Sequence, residues 1–87
     1  MTIQECFAKN LKRFRRQNGL TQNELAEISG ISFKYIYKLE TDYKKPDGSS
    51  NPSINCLDIL AKSLGVSVIS FFLDEGGNKV DFDWFKA

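Results

Sequence analysis

Two short helical segments joined by one glycine-containing turn, within residues 21–41, constrain the fold more than any other feature of the chain. Thr21 and Glu24 have the spacing of a capping box, in which each side chain accepts a hydrogen bond from the other residue's backbone N–H. Gly30 tolerates the positive φ that a tight turn between helices requires. Ser32 is a favourable N-cap for the helix that follows. The segment therefore predicts two helices connected by a tight turn.

Apolar periodicity predicts a helix on each side of this pair and a brief fifth helix near the end. Gly19 and Gly65 stand where the first and fourth helices should stop. Ser67 is positioned to cap the fifth helix, which would continue to Leu73. The residues predicted to face inward are Ile3, Phe7, Leu11 and Phe14 in the first helix, Leu25, Ala26 and Ile28 in the second, Ile36 and Leu39 in the third, and Ile54, Leu57, Leu60, Ala61 and Leu64 in the fourth.

The length of 87 residues allows one small domain. We predict an all-α domain over residues 1–75 and an aromatic C-terminal tail over residues 76–87, in which a strand and a helical turn are both compatible with the pattern. The longest apolar run, residues 71–73, is far below the roughly 20 residues that span a bilayer. We therefore expect a cytoplasmic protein with no membrane association.

Several classes of chemistry lack the residues they need. The chain has no His, and its only cysteines, Cys6 and Cys56, lie far apart, so neither a zinc set nor a Cys/His nucleophile can be assembled. No glycine-rich phosphate loop is present. We expect no metal, no cofactor and no enzymatic activity. The two cysteines are predicted to be reduced apolar residues, with a disulfide as the alternative.

Charge is divided unevenly along the chain. Residues 1–45 contain nine Lys and Arg against five Asp and Glu, a balance of +4, whereas residues 46–87 contain three against six, a balance of −3. This asymmetry favours an anionic partner for the first part of the chain, although a solvated surface would show the same pattern.

One set of residues, spread in order over most of the chain, carries a family pattern: Leu11, Phe14-Arg15, Gly19-Leu20-Thr21-Gln22, Glu24-Leu25-Ala26, Gly30-Ile31-Ser32, Ile36, Leu39-Glu40, Pro52-Ser53, Leu57, Leu60-Ala61 and Leu64-Gly65-Val66-Ser67. With these residues the sequence resembles the lambda-repressor/Cro-like helix-turn-helix family, also called the Xre family. The resemblance implies a compact five-helix DNA-binding domain with the helix-turn-helix at helices 2 and 3.

The resemblance also implies roles for individual side chains. Thr21 and Gln22 correspond to positions at the DNA backbone. Ser32, Phe33, Lys34, Tyr37 and Lys38 correspond to the recognition helix, where lysine can donate to guanine and an aromatic edge can meet a thymine methyl. Tyr43, Lys44 and Lys45 correspond to a loop that meets phosphates. Three alternatives stay open: that Phe33 or Tyr37 packs under the following loop, that residues 43–45 form an ordinary solvated turn, and that Arg13 and Arg16 add phosphate contacts.

Arg15 and Glu40 correspond to a family pair that bridges the first and third helices, and we expect a structural ion pair. Two features depart from the family: the loop over residues 42–52 is longer than usual, and the aromatic tail has no counterpart.

The function predicted is sequence-specific binding of double-stranded DNA by a homodimeric transcriptional regulator on a near-palindromic operator. Small regulators of this kind include restriction-modification controller proteins, phage repressors and antitoxins. The alternative is a protein-interaction module that uses the helix-turn-helix as a scaffold. The predicted dimer surface comprises Ile69, Phe71, Phe72, Phe82 and Trp84, unless these side chains only close the monomer core.

Overall fold

The computed structural model describes residues 1–43 and 51–82. Their regular structure is helical, as predicted. The elements, in chain order, are α1 (Ile3–Gln17), α2 (Gln22–Ser29), α3 (Phe33–Thr41), α4 (Ile54–Leu64) and a 3₁₀ helix (Val68–Phe72).

The prediction of five α-helices is wrong by one, because the fifth helical segment is the 3₁₀ helix. The N–H of Ser70 donates to the carbonyl of Ser67, and the N–H of Leu73 donates to that of Ser70, so the bonds span three residues. A segment of five residues offers little room for bonds that span four residues, and 3₁₀ bonds are common in such short connectors. Apolar periodicity over so few residues does not distinguish the two geometries.

Each α-helix begins at a hydroxyl side chain that accepts from a backbone N–H three residues later. The four N-caps are Thr2, Thr21, Ser32 and Ser53. The end of α1 is equally defined: Gly19 has φ 69° and its N–H donates to Arg16, while the N–H of Leu20 donates to Arg15. This is a Schellman arrangement, so the polypeptide leaves α1 in a fixed direction toward α2.

The core gathers the apolar faces of all five helical segments around the fully buried Phe71. The Phe71 ring makes edge contacts with Phe7 and Phe14, at centroid distances of 5.1 and 5.8 Å. The other large side chains with the least exposure are Leu11, Leu25, Ile36, Leu39 and Leu60. Most of the residues predicted to face inward therefore do so.

Two predicted core residues are instead exposed. Ile28, near the end of α2, is 58% exposed. This helix has only two turns, and Leu25 is its only buried residue. Ile54 is 84% exposed because it is the first residue of α4, whose buried residues begin at Cys56.

The chain after the 3₁₀ helix is attached to α1 through a buried amide. Asn10 Nδ2 donates to the carbonyls of Phe71 and Leu73, at 2.8 and 2.7 Å. Leu73 then forms an antiparallel bridge with Lys79 across a turn in which the Asp74 carboxylate accepts from two backbone N–H groups. The first part of the predicted tail, at Lys79, is thus paired with Leu73 through one antiparallel bridge.

Cys6 and Cys56 are both buried and free, as expected for reduced apolar residues. Burial raises the pKa of each thiol, so both are neutral near pH 7. Among the described residues, no helix has the length and apolar character needed to cross a bilayer.

Candidate nucleic-acid interface

The turn between α2 and α3 is held by short-range hydrogen bonds. Gly30 has φ 74° and its N–H donates to the carbonyl of Ala26 at 2.9 Å. The Ser29 hydroxyl accepts from Ile31 N–H, and the Ser32 hydroxyl accepts from Tyr35 N–H at 3.2 Å. The direction in which α3 leaves α2 is therefore determined by the backbone of the turn.

The two faces of α3 differ sharply. Ile36, Leu39 and Glu40 are buried against the rest of the domain. On the outer face, Phe33 and Tyr37 lie one turn apart and form an aromatic row. Lys34, which is exposed, and Lys38, which is partly buried, lie one turn apart beside it and form a cationic row. The recognition-helix residues predicted from the resemblance are therefore brought together on one surface.

The aromatic row consists of two rings that contact each other. The centroids of Phe33 and Tyr37 are 6.4 Å apart with an interplanar angle of 30°. Phe33 is 45% exposed and Tyr37 is 49% exposed, and neither belongs to the buried core cluster. The alternative that one ring packs under the following loop, residues 42–52, is not tested, because residues 44–50 of that loop lie outside the described residues.

Thr21 and Gln22, predicted to contact the DNA backbone, also have partners within the protein. The Thr21 hydroxyl accepts from Glu24 N–H at 3.1 Å, and Thr21 N–H donates to the Glu24 carboxylate at 2.9 Å. These bonds to Thr21 hold the pKa of Glu24 below its usual value. Gln22 Nε2 donates to Glu40 Oε1 at 3.1 Å. Sequence reasoning missed this last contact.

Glu40 also receives a bidentate ion pair from Arg15. Arg15 Nε and Nη2 lie 2.8 and 2.9 Å from the two carboxylate oxygens, and Arg15 Nη1 donates to the carbonyl of Leu20 at 2.8 Å. The hydrogen bond to Glu40 raises the pKa of the guanidinium. One arginine thus connects α1, the segment before α2, and α3.

Tyr35 makes a second contact that sequence reasoning did not predict. Its hydroxyl donates to the carbonyl of Asn51 at 3.0 Å, which joins α3 to the segment leading into α4. Burial raises the pKa of this hydroxyl, so it remains a donor at neutral pH. The sequence shows only a tyrosine next to the buried Ile36. Its hydrogen-bond partner, Asn51, lies sixteen residues away in the chain.

The remaining predicted phosphate contacts are dispersed. Tyr43 is partly buried and lines a groove with Ile3, Gln4 and Phe7 at the start of α1. Lys44 and Lys45 lie outside the described residues. Arg13 donates to Asn10 Oδ1 at 2.8 Å and lies over the Phe14 ring at 4.5 Å, so its guanidinium is engaged within the protein.

The described residues of the predicted dimer surface fall into three groups. Ile69 is 64% exposed and is available to a partner. The prediction that Phe71 lies in the dimer surface is wrong, because this side chain is fully buried in the monomer core, where no partner can reach it. Phe72 and Phe82 are partly buried, and Phe72 stacks on Phe7 at 6.1 Å. Trp84 lies outside the described residues.

No group of three or more His, Cys, Asp or Glu side chains suited to a metal ion occurs within residues 1–43 and 51–82.

Two helices joined by a fixed turn, with a second helix that displays aromatic and cationic side chains to solvent, define a helix-turn-helix module. A helix-turn-helix family model, HTH_3, matches residues 11–71. The chain belongs to this family of DNA-binding transcriptional regulators.

The chain is similar to named regulators over most of its length. It is 37% identical over 76 residues to control protein C.SmaI of Serratia marcescens, covering 87% of this chain and 83% of that protein. The restriction-modification controller protein C.Esp1396I, solved as a tetramer with its natural 35-base-pair operator, superposes with a TM-score of 0.66 at 28% identity, covering 83% and 87% of the two chains. A structure of the SinR–SinI protein complex matches with a TM-score of 0.67 at 31% identity, covering 90% and 70%.

Proposed function

We propose that this chain is a sequence-specific double-stranded DNA-binding regulator that acts as a homodimer on a near-palindromic operator. The observation that carries the proposal is the outer face of α3, where four side chains suited to the major groove form two adjacent rows. Those side chains are Phe33, Lys34, Tyr37 and Lys38.

The contacts at the start and near the end of α3 support a role in base recognition. Ser32 caps its start, and Glu40 near its end is held by Arg15 and Gln22. Groups that discriminate between bases must be held within a fraction of an ångström, so a recognition helix benefits from a capped start and an end that is bonded to the rest of the domain.

Lys34 and Lys38 are the side chains proposed to contact bases or the adjacent phosphates. The ammonium groups can donate to guanine O6 and N7 in the major groove. Thr21 lies at the N-terminus of α2, where unpaired backbone N–H groups attract a phosphate.

A homodimer is proposed because one module of this size buries too little DNA surface for tight specific binding. Two copies related by a two-fold axis would contact half-sites about 34 Å apart, one turn of the double helix. Ile69 is the exposed apolar residue proposed to lie in the dimer interface. The likeness to C.Esp1396I, whose structure is a tetramer on its operator, supports assembly on DNA.

The test is selection of bound duplexes from a random DNA pool, followed by affinity measurements on the selected sequence. We expect a motif with two inverted half-sites. Lys34→Ala and Lys38→Ala should each relax the base preference at defined positions. Lys62→Ala is the matched control, because Lys62 is 77% exposed on α4 and its removal changes the charge equally.

Loss of base preference in Lys62→Ala to the same degree would show that net charge, and not α3, determines binding. Failure to recover any motif, with binding that simply fades as salt increases, would overturn the proposal and redirect the search to a protein partner.

A further inference from the structure

The outer side of α1 carries a basic stripe that the proposed contacts of α3 with DNA do not include. The stripe consists of Lys9, Lys12, Arg13 and Arg16, and successive members are three, one and three residues apart. Three of them follow a buried core residue of α1 by two positions, which is a rotation of about 200° around the helix axis. The stripe therefore lies on the side of α1 that is opposite to the core.

Two cations of the basic stripe have no acidic partner among residues 1–43 and 51–82. Lys12 and Arg16 are exposed, whereas Lys9 forms an ion pair with Glu5 at 3.1 Å. Lys12 and Arg16 are four residues apart, and like charges at this spacing repel each other. An anionic partner would remove this repulsion, and the fold itself supplies none within the described residues.

A shallow depression of about 400 Å³ runs along the basic stripe. Besides the four cations, its lining includes Gln17 from the end of α1 and Glu75 from the turn between Leu73 and Lys79. The lysine and arginine groups only donate hydrogen bonds, the Gln17 amide both donates and accepts, and an ionised Glu75 carboxylate only accepts. A ligand that satisfies this surface needs acidic groups and also an N–H donor.

This mixture of groups favours one class of anionic macromolecule over another. The backbone of DNA presents phosphate and sugar oxygens, which are acceptors, so the Glu75 carboxylate would meet only groups that repel it. A polypeptide offers carboxylates to the cations and backbone N–H groups to Glu75. In addition, α1 and α3 bury their apolar faces in one shared core, so their outer sides face away from it in different directions.

We infer that the basic stripe and its depression form a docking site for an acidic segment of another protein. The chain can then hold DNA through α3 and a protein through α1 at the same time. Lys9 and Arg16 are separated by about 10 Å along the helix axis, which matches two or three carboxylates on one side of an extended segment. This inference goes beyond the proposed function and does not depend on it, because the docking requires no DNA.

The probe is a fluorescein-labelled synthetic peptide in which glutamate alternates with alanine, and its binding is measured by fluorescence anisotropy without DNA. We expect the wild-type chain to bind this peptide, and to show no binding of a matched peptide with glutamine in place of glutamate. The double variant Lys12→Ala/Arg16→Ala should bind the glutamate peptide about fivefold more weakly or worse, because it lacks both unpaired cations.

The matched control is Lys34→Ala/Lys38→Ala, which removes the same charge from α3. It should change affinity for the peptide by less than about twofold, since charges further apart than about 8 Å are largely screened at physiological salt. In a second arm, affinity for a DNA duplex should stay within about twofold of the wild type in Lys12→Ala/Arg16→Ala. Thermal unfolding checks that both double variants fold normally.

Three results would overturn the inference. The first is no binding of the glutamate peptide by the wild type, even at low salt. The second is a loss of peptide affinity in the α3 variant that equals or exceeds the loss in the α1 variant, because the peptide would then respond to net charge or occupy the α3 surface. The third is a loss of duplex affinity in the α1 variant as large as its loss of peptide affinity, which would assign the basic stripe to DNA. Selection of an operator tests the proposed function separately, so either proposal can fail while the other stands.

Discussion

The guanidinium of Arg15 and the carboxylate of Glu40 form a bidentate ion pair between α1 and α3, with N···O distances of 2.8 and 2.9 Å. The side chains are 9% and 1% exposed, so the pair is almost completely removed from water. A carboxylate in that position is acceptable only while its donors are present. The orientation of α3 therefore depends on a residue in the first helix of the domain.

Breaking this pair from one side should destabilise the domain strongly. Arg15→Met leaves the Glu40 carboxylate buried with Gln22 as its remaining side-chain donor. We expect a loss of about 3–5 kcal/mol in the free energy of unfolding, measured by urea denaturation. The double variant Arg15→Met/Glu40→Leu removes both charges and should recover much of that loss. Equal destabilisation in the single and double variants would show that packing, and not the stranded charge, is responsible.

Substitutions of Ser32 should separate the effect of helix capping on stability from the effect of surface charge on DNA binding. Its hydroxyl accepts from Tyr35 N–H, so Ser32→Ala should cost about 1 kcal/mol of stability. Ser32→Asn and Ser32→Asp both retain a capping oxygen and should unfold close to the wild type. Only the aspartate places a negative charge on the proposed DNA surface, where it should reduce operator affinity on the order of tenfold or more. Comparable affinities for the asparagine and aspartate variants would contradict the proposed placement.

The capping box should make stability depend on pH. The pKa of Glu24 is lowered in the folded state by its hydrogen bonds with Thr21, from an ordinary value of 4.5. The unfolded chain therefore takes up this proton first as the pH falls. The stabilisation is complete above 4.5 and is lost as the pH drops through the folded-state pKa.

Glu24→Gln is the matched control, because it keeps an acceptor for Thr21 N–H and removes the titrating group. Urea unfolding of both proteins between about pH 7 and pH 3 should show the advantage of the wild type declining at the acid end. Parallel curves over that whole interval would show that the Glu24 charge contributes nothing.

Ile69 provides the test of self-association. Placing a charge in an apolar interface is unfavourable, so Ile69→Asp should weaken dimerisation by about tenfold or more in sedimentation equilibrium without DNA. Ile28→Asp is the control: Ile28 is 58% exposed against 64% for Ile69, but it lies on α2, outside the proposed interface. A wild-type chain that stays monomeric, or equal effects of both changes, would exclude this interface.

The local elements of the fold were predictable because their signals are local. Thr21 and Glu24 form the capping box expected from their spacing, and Gly30 adopts the expected positive φ. Such features depend on contacts within a few residues. The exposure of Ile28 was not predictable. Periodicity shows which apolar residues share one face of a helix, but not how many of them the rest of the domain covers.

The connections between distant segments could not be derived from the residues alone. Gln22 and Glu40 are eighteen residues apart in the chain. Asn10 donates to the carbonyl of Phe71, which lies sixty-one residues away. Side-chain amides are common on surfaces, and nothing in their immediate neighbours marks the ones that become buried donors. The resemblance supplied Arg15 and Glu40 as partners but carried no information on these amides.

The hydrogen bond from Tyr35 to Asn51 has a consequence for how the chain tolerates insertion. It holds Asn51, in the segment that leads into α4, against the side of α3. The entropic cost of closing a connection between two fixed points rises only with the logarithm of its length. Insertions or deletions between Thr41 and Asn51 should therefore cost little stability, because the bond to Asn51, and not the length of the connection, determines where the segment leading into α4 begins.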